Sequence, residues 1–99
     1  MKPVRIAPPA SEEFTEAVRW YEEKRVGLGG EFYDAVVHAV GVVCEHPEIG
    51  LMVDEPHAHR QYLIDGFPYK LIYRERTDDL VIVAVAHASQ RPGYWKQRR

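Results

Sequence analysis

The chain has 99 residues, 45% hydrophobic and 28% charged, with a formal net charge of −2. That length makes one small domain, residues 1–99, with a single core, and the composition excludes wholesale disorder. No apolar run approaches the ~20 residues needed to span a bilayer.

The N-terminal MKPVRIAPP lacks the apolar segment of a signal peptide. The single cysteine, Cys44, has no internal disulfide partner. A cytoplasmic setting is therefore expected, with Cys44 a small buried or half-buried filler rather than a nucleophile. The charge is unevenly spread. Residues 1–55 hold 11 acids and 5 Lys/Arg, and residues 56–99 hold 4 acids and 8 Lys/Arg. The C-terminal half can therefore present a positive surface on a mildly acidic protein.

Val4 to Ala7 reads as a short first strand, ended by Pro8-Pro9. Ser11 is a suitable N-cap for a helix whose first turn carries Glu12 and Glu13. Phe14, Ala17, Val18 and Tyr21 form its apolar stripe, Trp20 widens it, and the helix is expected to stop at Gly27. Glu31 and Asp34 open a second helix. Its stripe of Phe32, Ala35, Val36, Ala39, Val40 and Val43 is the cleanest periodic signal in the chain. Pro47 bars continuation. The short link predicts an antiparallel helical hairpin.

Glu48 to Pro56 reads as a loop whose Leu51, Met52 and Val53 plug a core edge. His57-Ala58-His59 has two potential ligands but no third clear one, so no metal is expected, and no other cofactor. Arg60 to Ile64 is a strand, Asp65-Gly66 a turn, and Pro68 begins the next strand. In that strand Tyr69, Leu71 and Tyr73 share one face, and Lys70, Ile72 and Arg74 the other. Leu80 to Ala86 is almost wholly apolar, which suits a strand covered on both faces. It completes an antiparallel meander, and residues 2–7 can add to its edge. The fold class is α+β: an N-terminal helical hairpin packed on one face of a small twisted antiparallel sheet. The other face, with some of Arg60, Lys70 and Arg74, is left for a ligand.

Four segments taken in order carry a family resemblance: AVRWYE and LGGEFYDAV on the helices, FPYKLIY on the central strand, and VAVAHASQRPGYW at the end. The chain resembles the RelE/ParE superfamily of type II toxin–antitoxin toxins, a group that includes plasmid stabilisation proteins. The resemblance implies the fold just derived and a toxin held inactive by a cognate antitoxin, with operator DNA reached only through that antitoxin. It also implies one of two activities. RelE-like members cut mRNA in the ribosomal A site, and ParE-like members poison DNA gyrase without being nucleases.

For metal-free RNA cleavage the resemblance points to Lys70, Arg74, His87, Arg91 and Tyr94. They would supply cations for the phosphate and groups that move protons. His87 either serves in this way or simply ends its strand by bonding a backbone carbonyl. Arg60, Arg91, Tyr94, Trp95, Lys96 and Arg98 are candidates for binding the target or the antitoxin. Residues 48–59 contain no lysine or arginine, and a nuclease working inside ribosomal RNA needs many cations. The ending HASQRPGYW is nearer the ParE-like pattern. The favoured expectation is therefore gyrase inhibition. The alternatives are a ribosome-dependent endoribonuclease and a degenerate toxin that only binds its antitoxin as a co-repressor.

Overall fold

Helical periodicity in the first half and alternation in the second produce the elements of the computed structural model, which describes residues 2–98. In chain order they are β1 (Val4–Ile6), α1 (Pro8–Lys24), α2 (Leu28–Glu45), β2 (Leu51–Asp54), a 3₁₀ turn (Glu55–His57), β3 (His59–Leu63), β4 (Tyr69–Glu75) and β5 (Leu80–His87). The five strands form one sheet in the order β1-β5-β4-β3-β2. The hairpin packs on one face, burying Ala17 and Tyr21 of α1 with Phe32, Val36, Ala39 and Val43 of α2. An aromatic knot joins the layers: the Phe32 ring lies 5.0 Å from Tyr21, 5.1 Å from Phe67 and 4.9 Å from Tyr69.

Several local boundaries differ from the sequence-based expectations. Pro8-Pro9 does not merely end β1; it starts α1, because proline at the first helical positions gives up only amide groups that lack a partner anyway. Ala7, not Ser11, is the N-cap. The second helix begins at Leu28, three residues before Glu31. Its first amides are capped from the preceding helix: Glu22 Oε1 accepts from the Gly27 and Gly29 N–H groups at 3.1 and 3.0 Å. Gly29 also lets the helices touch, since a Cβ there would stand 2.7 Å from the Val18 carbonyl oxygen.

The stretch expected as a loop contains β2, which pairs antiparallel with β3. Leu51 does not plug the core; it is 65% exposed. The sheet is mixed rather than wholly antiparallel, because β1 joins β5 in parallel with Val4 opposite Leu80 and Ile6 opposite Ile82. The expected alternation along β4 holds. The irregularity opposite it falls in β5, where Ile72 pairs with Ala84 but Tyr73 with Ile82, leaving Val83 as an extra residue.

The far face of the sheet is not open along its length. Trp95, only 3% exposed, folds beneath it and packs against the His59 ring, centroids 5.0 Å apart. Ile72 and Ala84 of that face are fully buried. Beyond Ile82 the outer edge of β5 has no strand beside it among the described residues, and side chains take the strand's place. Glu13 Oε1 accepts from the Val85 N–H at 3.0 Å, and Arg98 Nη1 donates to the Val83 carbonyl at 3.1 Å. The edge amides are thus satisfied without a partner strand.

Candidate functional site

β5 ends at an open groove of about 430 Å³ between α1 and the sheet. Its walls include Glu13, Glu16 and Trp20 from α1, Tyr69 from β4, and His87, Ser89 and Gln90 from the end of β5. Trp20 is 52% exposed, with the Lys24 ammonium 4.5 Å above its ring. Among the described residues, no lysine or arginine lines this groove.

His87 sits at the mouth, its ring perpendicular to Tyr69 at 4.9 Å. Of the two roles open to it from sequence, a bond to a backbone carbonyl is not found among the described residues. Its Nδ1 instead accepts from the Ser89 N–H at 2.9 Å and lies 2.7 Å from the Ser89 hydroxyl. Those contacts place the proton of a neutral ring on Nε2.

Glu13 organises the floor. It accepts from Val85, from the Tyr94 hydroxyl at 2.6 Å and from Arg98 at 3.0 Å. Burial, and then the adjacent Glu13 carboxylate, push the Tyr94 hydroxyl far above the ordinary tyrosine value. Tyr94 is a donor fixed on a carboxylate, with the Arg98 guanidinium 5.0 Å over its ring. The cation paired with this helix acid is Arg98, and Arg91 is exposed.

The cations named from sequence do not gather around His87. Lys70 and Arg74 share the far face of β4 but stand four residues apart, ~13 Å along the strand. Arg74 Nε donates to the His57 carbonyl at 3.1 Å. Arg60 is not on that face. It pairs with Tyr73 on the helix side, and its guanidinium donates to the Glu48 and Gly50 carbonyls at 3.1 and 2.7 Å. Lys96 is exposed, Trp95 is buried, and Arg98 is tied to Glu13.

A second cluster lies on the far face, where the 3₁₀ turn meets β3. Asp54 Oδ2 is 3.0 Å from His57 Nδ1 and 2.8 Å from His59 Nδ1. The His59 bond above all, helped by His57, holds the Asp54 carboxyl below its ordinary range. Asp54 escaped the sequence analysis, although Asp-x-x-His-x-His was there to be read.

Two apolar clefts flank the hairpin. One, about 150 Å³, lies beside β1 and is lined by Ile6, Phe14, Tyr33, Val37, Val40 and Ile82 among others. The other, about 690 Å³, lies beside β2 and includes His38, Leu51, Tyr62 and Leu63. Ile6, Tyr33, Val37, Leu51 and Leu63 are each 47% exposed or more.

No curated protein matches the chain in sequence. Among solved structures, a chain of the chromosomal ParDE TA system from P. aeruginosa has the same fold. It superposes with a TM-score of 0.66 at 14% identity, over 90% of this chain and 98% of that one. The family model for the ParE toxin of the type II toxin–antitoxin system parDE matches residues 4–92. A match across so much of the sequence, on a hairpin-and-sheet fold found in a ParDE system, means that the chain belongs to the ParE toxin family.

Proposed function

We propose that this ParE-family chain arrests growth by inhibiting DNA gyrase through protein contacts, and that a cognate antitoxin neutralises it. The observation that carries the choice of target is the groove beside His87. Among the described residues its lining holds Glu13 and Glu16 but no lysine or arginine, and the nearby Arg98 is already paired with Glu13, so the groove offers a scissile phosphate carboxylates and no converging cations. Tyr94, the proton donor of a nuclease mechanism, is committed to Glu13. Lys70 and Arg74 are spaced along a strand rather than converged on one phosphate. A surface that binds a protein has no need of such convergence.

The antitoxin inference rests on the exposed apolar clefts on either side of the hairpin. An amphipathic helix laid along Ile6, Tyr33 and Val37, or a strand added beside β2, would bury them. The basic C-terminal half would steer an acidic antitoxin segment toward them. Operator DNA would then be reached only through the antitoxin, in a cytoplasmic setting.

The test is expression of the chain alone, with growth, plasmid integrity and transcript ends followed together. Gyrase-cleaved plasmid with unchanged transcript ends is the expected outcome, and His87→Ala should arrest growth as the parent does. Transcripts cut at codon boundaries, with the cuts lost in Arg91→Ala/Tyr94→Ala, would replace this proposal with the endoribonuclease. Harmless expression would point to a toxin reduced to an antitoxin-binding co-repressor.

A further inference from the structure

We propose that Asp54, His57 and His59 form a binding site for one divalent transition-metal ion of the zinc class, held by the Asp54 carboxylate and the Nδ1 atoms of both imidazoles. The site is separate from the groove at His87 and from the apolar clefts.

Three features support it. The potential ligand atoms of the three residues all lie within 4.8 Å of one another. Tetrahedral donors about zinc, at ~2.0–2.1 Å from the ion, stand roughly 3.3 Å apart. The observed 2.8 and 3.0 Å from Asp54 Oδ2 to the two Nδ1 atoms therefore need to open by roughly 0.3–0.5 Å to admit an ion. Two imidazole nitrogens with one carboxylate oxygen suit zinc and its neighbours, whereas magnesium and calcium prefer oxygen alone.

The backbone is bent to bring these groups together. Ala58, between the two histidines, has φ 56°, the one positive φ outside glycine among the described residues. Such a conformation persists only where its surroundings hold it. The register of β2 against β3 also shifts between Met52 and Asp54, which re-aims Asp54 toward His59. Arg74 pins the turn by donating to the His57 carbonyl.

Access is one-sided, as a metal site with an open coordination position requires. The His59 side chain is 0% exposed and backed by Trp95, while that of His57 is 33% exposed. His59 Nε2 is buried with no hydrogen-bond partner among the described residues, so the polar bonding found for this ring runs through Nδ1. An ion taken up there binds the Nδ1 lone pairs of neutral rings that carry their proton on Nε2, the second proton of any imidazolium going to solvent, and ties the 3₁₀ turn to β2 and β3.

The experiment uses the full chain free of any affinity tag. Cobalt(II) is titrated in while its visible ligand-field bands are recorded, and zinc is then added as competitor. Thermal unfolding is followed with and without zinc. One equivalent of cobalt per chain, displaced by zinc, and a higher Tm in zinc are expected. His57→Ala, at a partly exposed position, should keep its circular dichroism but lose more than about tenfold in cobalt affinity, since loss of even a group that only supports a ligand costs roughly that much. It should also lose the zinc-dependent Tm shift. His38→Ala and His46→Ala should bind as the parent does. Asp54→Asn should behave as His57→Ala does; should it fail to fold, His57→Ala decides the matter. No cobalt bands, binding undiminished in folded His57→Ala, or binding lost in His38→Ala or His46→Ala would each overturn the site.

Discussion

Glu13 shows how one side chain can close a sheet. Its two oxygens meet the Val85 amide, the Tyr94 hydroxyl and the Arg98 guanidinium, which lie 72 to 85 residues away in sequence. The pair with Arg98 is shielded, with side-chain exposures of 24% and 20%. Tyr94→Phe leaves the ring but removes one charge-assisted hydrogen bond, and should cost about 1–2 kcal/mol near neutral pH. Urea unfolding measures that loss as a lower midpoint at constant slope. The same substitution has a signature in alkali. The Tyr94 pKa is raised in the folded state, so above about pH 10 the unfolded chain gives up its proton first. Stability from this source is intact below that pH and drains as pH rises. Tyr94→Phe should flatten the alkaline limb of the stability–pH curve without abolishing it, because burial also raises Tyr69 and Tyr73. An unchanged limb would mean that the Tyr94 hydroxyl titrates alike in the folded and the unfolded chain.

Between elements, the join from α2 to the sheet depends on Gly50. Its N–H donates to the Tyr73 hydroxyl at 2.9 Å, and that hydroxyl donates to the Pro47 carbonyl at 2.7 Å. Arg60 gathers the neighbouring Glu48 and Gly50 carbonyls. The chain therefore leaves the helix and enters β2 with its backbone groups paired to two strand side chains. A Cβ at Gly50 would lie 2.6 Å from the Tyr73 hydroxyl and 2.7 Å from the Gln61 carbonyl oxygen. The second contact is backbone and cannot swing aside. Gly50→Ala should destabilise by about 1–3 kcal/mol, seen as a lower urea midpoint. A neutral result would show that β2 can separate from β3 at little cost.

At the scale of the whole molecule, the sheet is covered twice: by the hairpin on one face and by the last turn of chain on the other. Trp95 is the main piece of that second cover and touches the buried His59. Trp95→Ala should cost about 3–5 kcal/mol, a large part of the stability of a domain this small. The loss should appear in thermal unfolding, with the hairpin's helical circular dichroism kept below the lowered Tm. The same arrangement explains why basic residues near the C-terminus are not all a free tail. Arg98 is held at the β5 edge, while Arg91 and Lys96 remain exposed and able to meet an acidic partner segment. Arg99 lies outside the described residues.

Periodicity alone carried the hairpin, the meander and the α+β class, because helix and strand stripes are written into neighbouring residues. Alternation along β4 likewise placed Tyr69, Leu71 and Tyr73 on one face before any coordinates. The segments AVRWYE, LGGEFYDAV and FPYKLIY and the ending HASQRPGYW were enough to suggest the family. Tertiary structure alone decided the rest: Pro8 starting a helix, β1 lying parallel to β5, Arg60 turning toward the hairpin, Glu13 standing in for a missing strand, and Asp54 joining two histidines. Each of these depends on what a group meets across the sheet. Such meetings follow from the packing of distant segments, and no local pattern of residue types records them.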